Sequence, residues 1–374
     1  MTAYKITQDS DQALQIVDGD SVTLEAGVSI IDPSVTMSSR QGLTDYAGIQ
    51  DTDGGDNKVS VLGTTEGFVG AWFWEGSDKV DVGPQGLAYG FNAGVEFHDE
   101  GHNLLSIQAG GEVSSEFYGV WFGAFPHYDY TTLPTSGVDT IHNAGMIEGI
   151  KREAVRMVFG GNHIINSGTI QADLFQAIQF DSAVTDPRNF ITNTGHIVAG
   201  PRGPAIVSGD AAMTVANSGS IAGDIQFGAG NDHYAGSGTF AGTVYGAAGN
   251  DTLLGGSGDF TADGGAGGDY LRVGSGVNTF VYDAVTDSSY HNGYDTIDGF
   301  DFNKDHIVAA GVTLTDIGDI HLARYLPANG AGVLETSTHD WYLYIDANGV
   351  AGYQAGQDYL IKLTHALNIP LHAS

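Results

Sequence analysis

One phrase, Asn-x-Gly-x-Ile, returns four times between 140 and 224. It stands as Asn143-Ala-Gly145-Met-Ile147, Asn166-Ser-Gly168-Thr-Ile170, Asn193-Thr-Gly195-His-Ile197 and Asn217-Ser-Gly219-Ser-Ile221, at spacings of 23, 27 and 24 residues. A second apolar step recurs at matching intervals, at Ala154-Val155, Ala177-Ile178 and Ala205-Ile206. A period of this size, with apolar residues at alternate positions and Gly or Asn at the corners, suits one coil of a parallel β-helix with two or three short strands per circuit. Glycine supplies positive φ at the corners, and Asn tolerates that conformation while laddering its amide with the Asn one coil away. The repeat therefore predicts a structural asparagine ladder. Upstream, Gly19-Asp-Ser-Val22-Thr-Leu24 and Val28-Ser-Ile30 read as an opening coil. Gly70-Ala-Trp72-Phe73-Trp74 and Gly119-Val120-Trp121-Phe122 resemble each other as bulky strand segments. Two stretches, 128–137 and 181–189, interrupt the pattern and read as loops projecting from the stack, where solenoids carry specificity.

Composition narrows the class. The chain has 374 residues, of which 56 are Gly, with 41% hydrophobic and 16% charged. That is too apolar for a disordered chain and too rich in glycine for a helical one. Asp and Glu number 45 against 13 Lys and Arg, a formal charge of -32, which argues against nucleic acid and makes cations the natural complement. There is no cysteine, so no disulfide or thiolate site is available as a staple. Positions 1–20 carry Asp9, Asp11, Asp18 and Asp20 and lack the apolar core of a signal peptide, and no apolar run reaches membrane-spanning length. At face value this is a soluble cytoplasmic chain, a reading that the C-terminal half reverses.

From 219 onward the period tightens. Gly228-Ala-Gly230-Asn-Asp232, Gly246-Ala-Ala-Gly249-Asn-Asp251 and Gly264-Gly265-Ala-Gly267-Gly-Asp269 follow one another at 19 and 18 residues. Repeated carboxylates this close would repel without a cation between them. These loops resemble the nonapeptide repeat of hemolysin-type, or repeats-in-toxin, proteins. The resemblance implies turns whose carbonyls and aspartates hold calcium between stacked coils, with Gly228, Gly230, Asp232, Gly246, Gly249, Asp251, Gly265, Gly267 and Asp269 as ligating positions. Calcium takes 6 to 8 oxygens, and glycine lets carbonyls converge on it. Tyr234, Leu253 and Leu271 would point into the core. On the opposite edge Phe240 and Phe260 stand where the carboxylate would be, so that edge reads as metal-poor, with Asn278 as a weaker ligand. Phe227 and Tyr245 replace leading glycines of the repeat.

The resemblance continues to the C-terminus. Phe280-Val-Tyr282-Asp and Tyr294-Asp295-Thr-Ile297-Asp298 look like the segment that closes such β-rolls, which implies a last calcium at Asp295 and Asp298. Trp341-Tyr-Leu343-Tyr-Ile345 followed by Asp358-Tyr-Leu-Ile361-Lys-Leu363 is similar to the terminal hairpin of type I secreted proteases, which leave the cell by an uncleaved C-terminal signal. The expected architecture is all-β: a right-handed parallel β-helix over 1–223, a calcium-binding β-roll over 224–306, and a cap with the secretion signal over 307–374. Calcium is the one cofactor expected, and the location is extracellular.

Chemistry for catalysis is thin. His98-Asp-Glu-Gly-His102 misplaces the glutamate of a zinc-protease motif, and neither a Gly-x-Ser-x-Gly elbow nor a P-loop occurs. Asp99, Glu100, Asp129, Asp173 and Asp181 with Lys151, Arg152 and Arg156 are the candidates for a polysaccharide lyase or epimerase; for the basic group the plainer reading is a solvated face balancing Glu148 and Glu153. The expectation is a non-enzymatic building block that self-assembles as a surface-layer, matrix or filament subunit. Its partners would be further copies of itself, cell-surface polysaccharide and a type I secretion channel. A polysaccharide-acting enzyme and a monomeric carbohydrate-binding adhesin are the alternatives.

Overall fold

The computed structural model describes residues 2–31, 47–51, 55–74, 76–98, 101–123, 137–158, 160–183, 187–310, 320–322, 331–335 and 341–369. Their secondary structure is almost entirely strand, with a single 3-10 turn at Val285–Asp287. Two compact units divide the chain: Met1–Ala211 with Gly219–Gly223, and Ala212–Ser218 with Asp224–Ser374.

In the first unit one sheet stacks Ala3–Ile6, Ser21–Leu24, Lys58–Val61, Lys79–Val82, Leu104–Ile107, Thr140–Asn143, His163–Asn166 and Asn189–Asn193, parallel and in register. Because side chains alternate along a strand, one row faces inward throughout: Val22, Val59, Val80, Leu105, Ile141, Ile164 and Ile191 are all buried. The next inward row is apolar from Leu24 to Ile107 and turns to Asn143, Asn166 and Asn193. The second sheet begins with long strands, Thr64–Phe73 and Leu87–Phe97. Later coils cover the same path with two short ones, such as Glu112–Ser115 and Tyr118–Phe122. The two aromatic segments are two coils apart through Leu87–Phe97, so Phe73, Phe97 and Phe122 stack with ring centroids 5.1 and 4.7 Å apart.

The second unit is narrower. His233–Gly236, Thr252–Leu254, Tyr270–Arg272 and Thr296–Asp298 form one parallel sheet, aligning Tyr234, Leu253, Leu271 and Ile297 in the core. Thr243–Tyr245, Phe260–Asp263, Asn278–Tyr282 and His306–Ala309 form the other. Phe240 and Phe260 both lie against Tyr234, with Phe260 stacked on its ring at 5.8 Å. Tyr359–Thr364 adds to Thr296–Asp298 in parallel and then continues antiparallel through Trp341–Ile345 to Ala331–Glu335. The architecture is all-β and largely parallel, as a β-helix and β-roll require.

Loop 128–137 lies outside the described residues except for its last position, as do 184–186 of the second loop, and Asp99, Glu100 and Asp129.

Candidate metal centre

In the second unit each strand of the sheet that begins with His233–Gly236 is preceded by a buried Asp. These residues are Asp232, Asp251, Asp269 and Asp295. Each Oδ1 accepts a hydrogen bond from the coil before it: Met213 N–H to Asp232 (2.5 Å), Asp232 N–H to Asp251 (2.6 Å), Asp251 N–H to Asp269 (2.8 Å) and Asp269 N–H to Asp295 (2.9 Å). Four carboxylates thereby stack one coil apart. Ser288 ends the column by donating to Leu360 O (2.6 Å) while its Oγ accepts from Asp295 N–H (2.9 Å).

The second oxygen of each carboxyl is the informative one. Oδ2 of Asp251 and Asp269 is buried with no hydrogen-bond partner among the described residues, and the buried carboxyl of Asp295 has the Tyr282 hydroxyl beside it. Burial pushes Asp251 up to about 8, with the charges of Asp269 and Asp232 adding to the rise. Burial does the same to Asp269, to about 7, helped by Asp263 and Asp287. Asp295 is raised well above the carboxylate range by burial and by Asp269. Acids packed this closely in a buried column favour a cation among them.

The glycines bring further oxygens up to these carboxyls. A Cβ built on Gly246 would strike both Gly264 O and Asp251 Oδ2, and one on Gly264 would strike Asp269 Oδ2. Likewise Gly249 faces Gly230 O, Gly265 faces Ala247 O and Gly267 faces Gly249 O. Carbonyl and carboxylate oxygens therefore converge on positions that only a residue without a side chain leaves open. Gly249 at φ 142° and Gly265 at φ 82° also need the freedom of glycine. The donor set is all oxygen, which fits a hard cation such as calcium. No group of three or more His, Cys, Asp or Glu side chains forms a metal cage among the described residues. In a turn of this type carbonyls must complete the shell, so side chains alone do not reveal it.

Two further positions expected to ligate, Asn278 and Asp298, stand apart from this column. Asn278 Oδ1 accepts Gly274 N–H (2.8 Å), while its Nδ2 donates to Gly276 O (3.1 Å) and Asp305 Oδ1 (2.8 Å). Its polar atoms hold a turn and reach no aspartate of the column. Asp298 is on the outward face, accepting from Tyr270 Oη (2.8 Å) and Thr364 Oγ1 (3.0 Å) and bonded to His365 Nδ1 (2.6 Å). Although burial opposes it, His365, Tyr270 and Thr364 hold Asp298 below the usual range. The period of two puts Asp298 three residues after Asp295 on the opposite side of the strand.

In their place the fold brings residues that the repeat pattern did not single out. Asp263, buried at the end of Phe260–Asp263, is raised to about 6 by burial and by Asp287 and Asp283. Its Oδ1 accepts Gly265 N–H (3.0 Å). Asp287, in the 3-10 turn, is buried as well. Asp263 and Asp287 thus join Asp269 and Asp295 electrostatically. The signal for Asp263 was a third acid directly before Gly264-Gly265, outside the repeat's own six positions.

The first unit holds a different kind of acid. Glu96 is fully buried, in register between Trp72 and Trp121, and burial pushes it up to about 8 against only the Trp72 indole. The two histidines of the 98–102 segment are used separately: His98 stacks on Trp74 at 4.7 Å, and His102 Nδ1 accepts Val138 N–H at 3.1 Å.

Among comparisons with known proteins, residues 212–368 match the family model described as Peptidase M10 serralysin C terminal. No curated protein matches the chain. No helix is long and apolar enough to cross a membrane among the described residues. The matched segment contains the whole aspartate column together with Asp263 and Asp287. Residues 212–368 thus form an all-β domain that matches the serralysin-type calcium-binding β-roll family of hemolysin-type repeats, a family of secreted proteins.

Proposed function

We propose that this chain is a secreted structural protein that folds on calcium outside the cell and assembles there as a surface-layer, matrix or filament subunit, with adhesion to cell-surface polysaccharide as a companion role. The observation that carries the calcium part is the stack of buried Oδ2 atoms of Asp251, Asp269 and Asp295 beside glycines open to carbonyl oxygens. Asp232, Asp251, Asp269 and Asp295, with carbonyls of the turns at Gly228, Gly230, Gly246, Gly249, Gly265 and Gly267, would hold the ions. Asp263 and Asp287 belong to the same site. Calcium supplies there the positive charge and the oxygen coordination that let the acids ionise inside a fold.

Extracellular calcium modules have dissociation constants of about 10⁻⁴ to 10⁻³ M. Sites of that strength stay empty in a cytosol and fill outside, so an acidic roll remains threadable through a type I channel and folds on arrival. On this reading 1–223 is the working solenoid, 224–306 the calcium roll, and 307–374 the cap that carries the export signal. Assembly is supported by the solenoid form itself, in which coil pairs with coil through parallel strand edges. Open strand edges are templates for another chain. The enzymatic alternative has less support, because two of its three basic candidates are held in ion pairs. Lys151 pairs with Glu116 at 2.6 Å and Arg156 with Asp181 at 2.7 Å.

Electron microscopy and circular dichroism of the purified chain, with millimolar calcium and with chelator, test both parts. Calcium should bring a gain of β-structure and ordered fibres or sheets. Monomers at every calcium level would sink the assembly reading, and unchanged dichroism would sink the calcium reading.

A further inference from the structure

The first unit has an Asp/Asn column of its own, built in the same way but with a different composition. Its members are Asp20, Asn57, Asp78, Asn103, Asp139, Asn162 and Asn189, every one buried. The first six stand immediately before a strand of one sheet and Asn189 opens the next, and from Asn57 onward each Oδ1 accepts the backbone N–H of the preceding member. Asp20 N–H donates to Asn57 (3.0 Å), Asn57 N–H to Asp78 (2.8 Å), Asp78 N–H to Asn103 (2.9 Å) and Asn103 N–H to Asp139 (3.1 Å). Asp139 N–H donates to Asn162 (2.9 Å) and Asn162 N–H to Asn189 (3.0 Å).

No two carboxylates are adjacent in this column. Neighbouring strands are roughly 4.8 Å apart, so an interposed Asn doubles the separation of successive acids and halves their repulsion. The amide also brings a donor: Asn103 Nδ2 donates to Asp139 Oδ1 at 3.1 Å. At the start of the column both oxygens of Asp20 are satisfied, by Thr2 N–H (2.7 Å) and Val17 N–H (3.1 Å). In the second unit all four members are Asp, no amide intervenes, and the Oδ2 atoms of Asp251 and Asp269 lack donors among the described residues.

We propose that alternating Asn with Asp in the buried column of the first unit is a built-in substitute for calcium, so that this unit folds without the ion and the all-Asp column confines calcium dependence to the second unit. The inference rests on the calcium reading above. Where an amide can supply the positive end of a dipole between two carboxylates, no cation is needed; where every member is an ionised carboxylate, a cation must do so. The consequence is a chain with one permanently folded unit and one unit switched by the ion.

Hydrogen exchange of the full chain, read by mass spectrometry in calcium and in chelator, resolves the two units. Protection of Lys79–Val82 and Leu104–Ile107 should be the same in both buffers, while Thr252–Leu254 and Tyr270–Arg272 should lose about a hundredfold or more in chelator. Loss of protection at Lys79–Val82 in chelator would overturn the substitution alone, whereas calcium-insensitive exchange at Thr252–Leu254 would overturn the calcium reading beneath it. The double variant Asp251→Asn with Asp295→Asn gives the second column the alternation of the first. Its Thr252–Leu254 amides in chelator should be protected about tenfold better than wild type, the worth of one added hydrogen bond to a carboxylate. No gain, in a variant whose first unit exchanges normally, would also overturn the proposal.

Discussion

At the scale of single residues, Ala247 bears a cost that its counterparts avoid. It occupies φ 66°, while Gly265, at the matching place one turn later, sits at φ 82°. An L residue in the left-handed region loses about 1 to 2 kcal/mol to contact between Cβ and backbone, part of which glycine gives back through the entropy of the unfolded chain. Ala247→Gly should therefore stabilise the calcium-loaded roll by about 0.5 to 1 kcal/mol, seen as a higher melting temperature in saturating calcium. A lower melting temperature would show that the Ala methyl makes a contact worth more than the strain. Phe227 and Tyr245, which also replace repeat glycines, are accommodated differently: Phe227 is buried and its N–H bonds Tyr245 O at 2.9 Å.

At the scale of elements, the asparagine ladder read from the Asn-x-Gly-x-Ile phrase is a chain of amide hydrogen bonds in the first unit. Asn143 Nδ2 donates to Asn166 Oδ1 and Asn166 Nδ2 to Asn193 Oδ1, both at 2.8 Å. Asn166 is fully buried, so Asn166→Ala would strand a donor on one side and an acceptor on the other. About 2 to 4 kcal/mol of stability should be lost, measurable as a lower urea midpoint of the first unit. A loss below about 0.5 kcal/mol would mean that water takes over both bonds. This ladder was legible because its residues repeat within one conspicuous phrase. The other column was not, although it has a signature: an Asp or Asn two places before a buried apolar residue, as in Asp20/Val22, Asn57/Val59, Asp78/Val80, Asn103/Leu105 and Asp251/Leu253. The coils that carry it differ in length, which hides the period.

At the scale of the whole molecule, ionisation of the column sets how stability depends on pH when calcium is absent. In the metal-free roll Asp251 and Asp269 are raised to about 8 and about 7, both above the value near 4 of an unfolded aspartate. Folding then favours the protonated acids. Their contribution is whole below about pH 4 and is lost as pH rises through 7 to 8, because the unfolded chain gives up these protons earlier. The second unit in chelator should accordingly melt at falling temperature between about pH 4 and pH 8, and saturating calcium should flatten or reverse that slope. Thermal melts of the second unit's strands across this range, with and without calcium, check the sign. A metal-free roll that gains stability toward pH 8 would mean that the acids are not packed as the structure has them.

The all-β solenoid, the parallel stacking of its coils, the inward rows such as Tyr234, Leu253 and Leu271, and the glycine–aspartate turns with their demand for a cation were legible in the order of residues. These follow from periodicity, from turn chemistry and from charges repeated at short intervals, all of which are local. Only the tertiary structure decided which acids share a site. Asp298 is drawn outward to Tyr270, Thr364 and His365, Asn278 is bound into a turn with Asp305, and Asp263 and Asp287 arrive from a strand end and a 3-10 turn to face Asp269 and Asp295. Glu96 likewise reads as an ordinary charged residue until the coils on either side place Trp72 and Trp121 against it. Coil stacking, which depends on register between segments 18 to 37 residues apart, sets those meetings, and no local pattern encodes it.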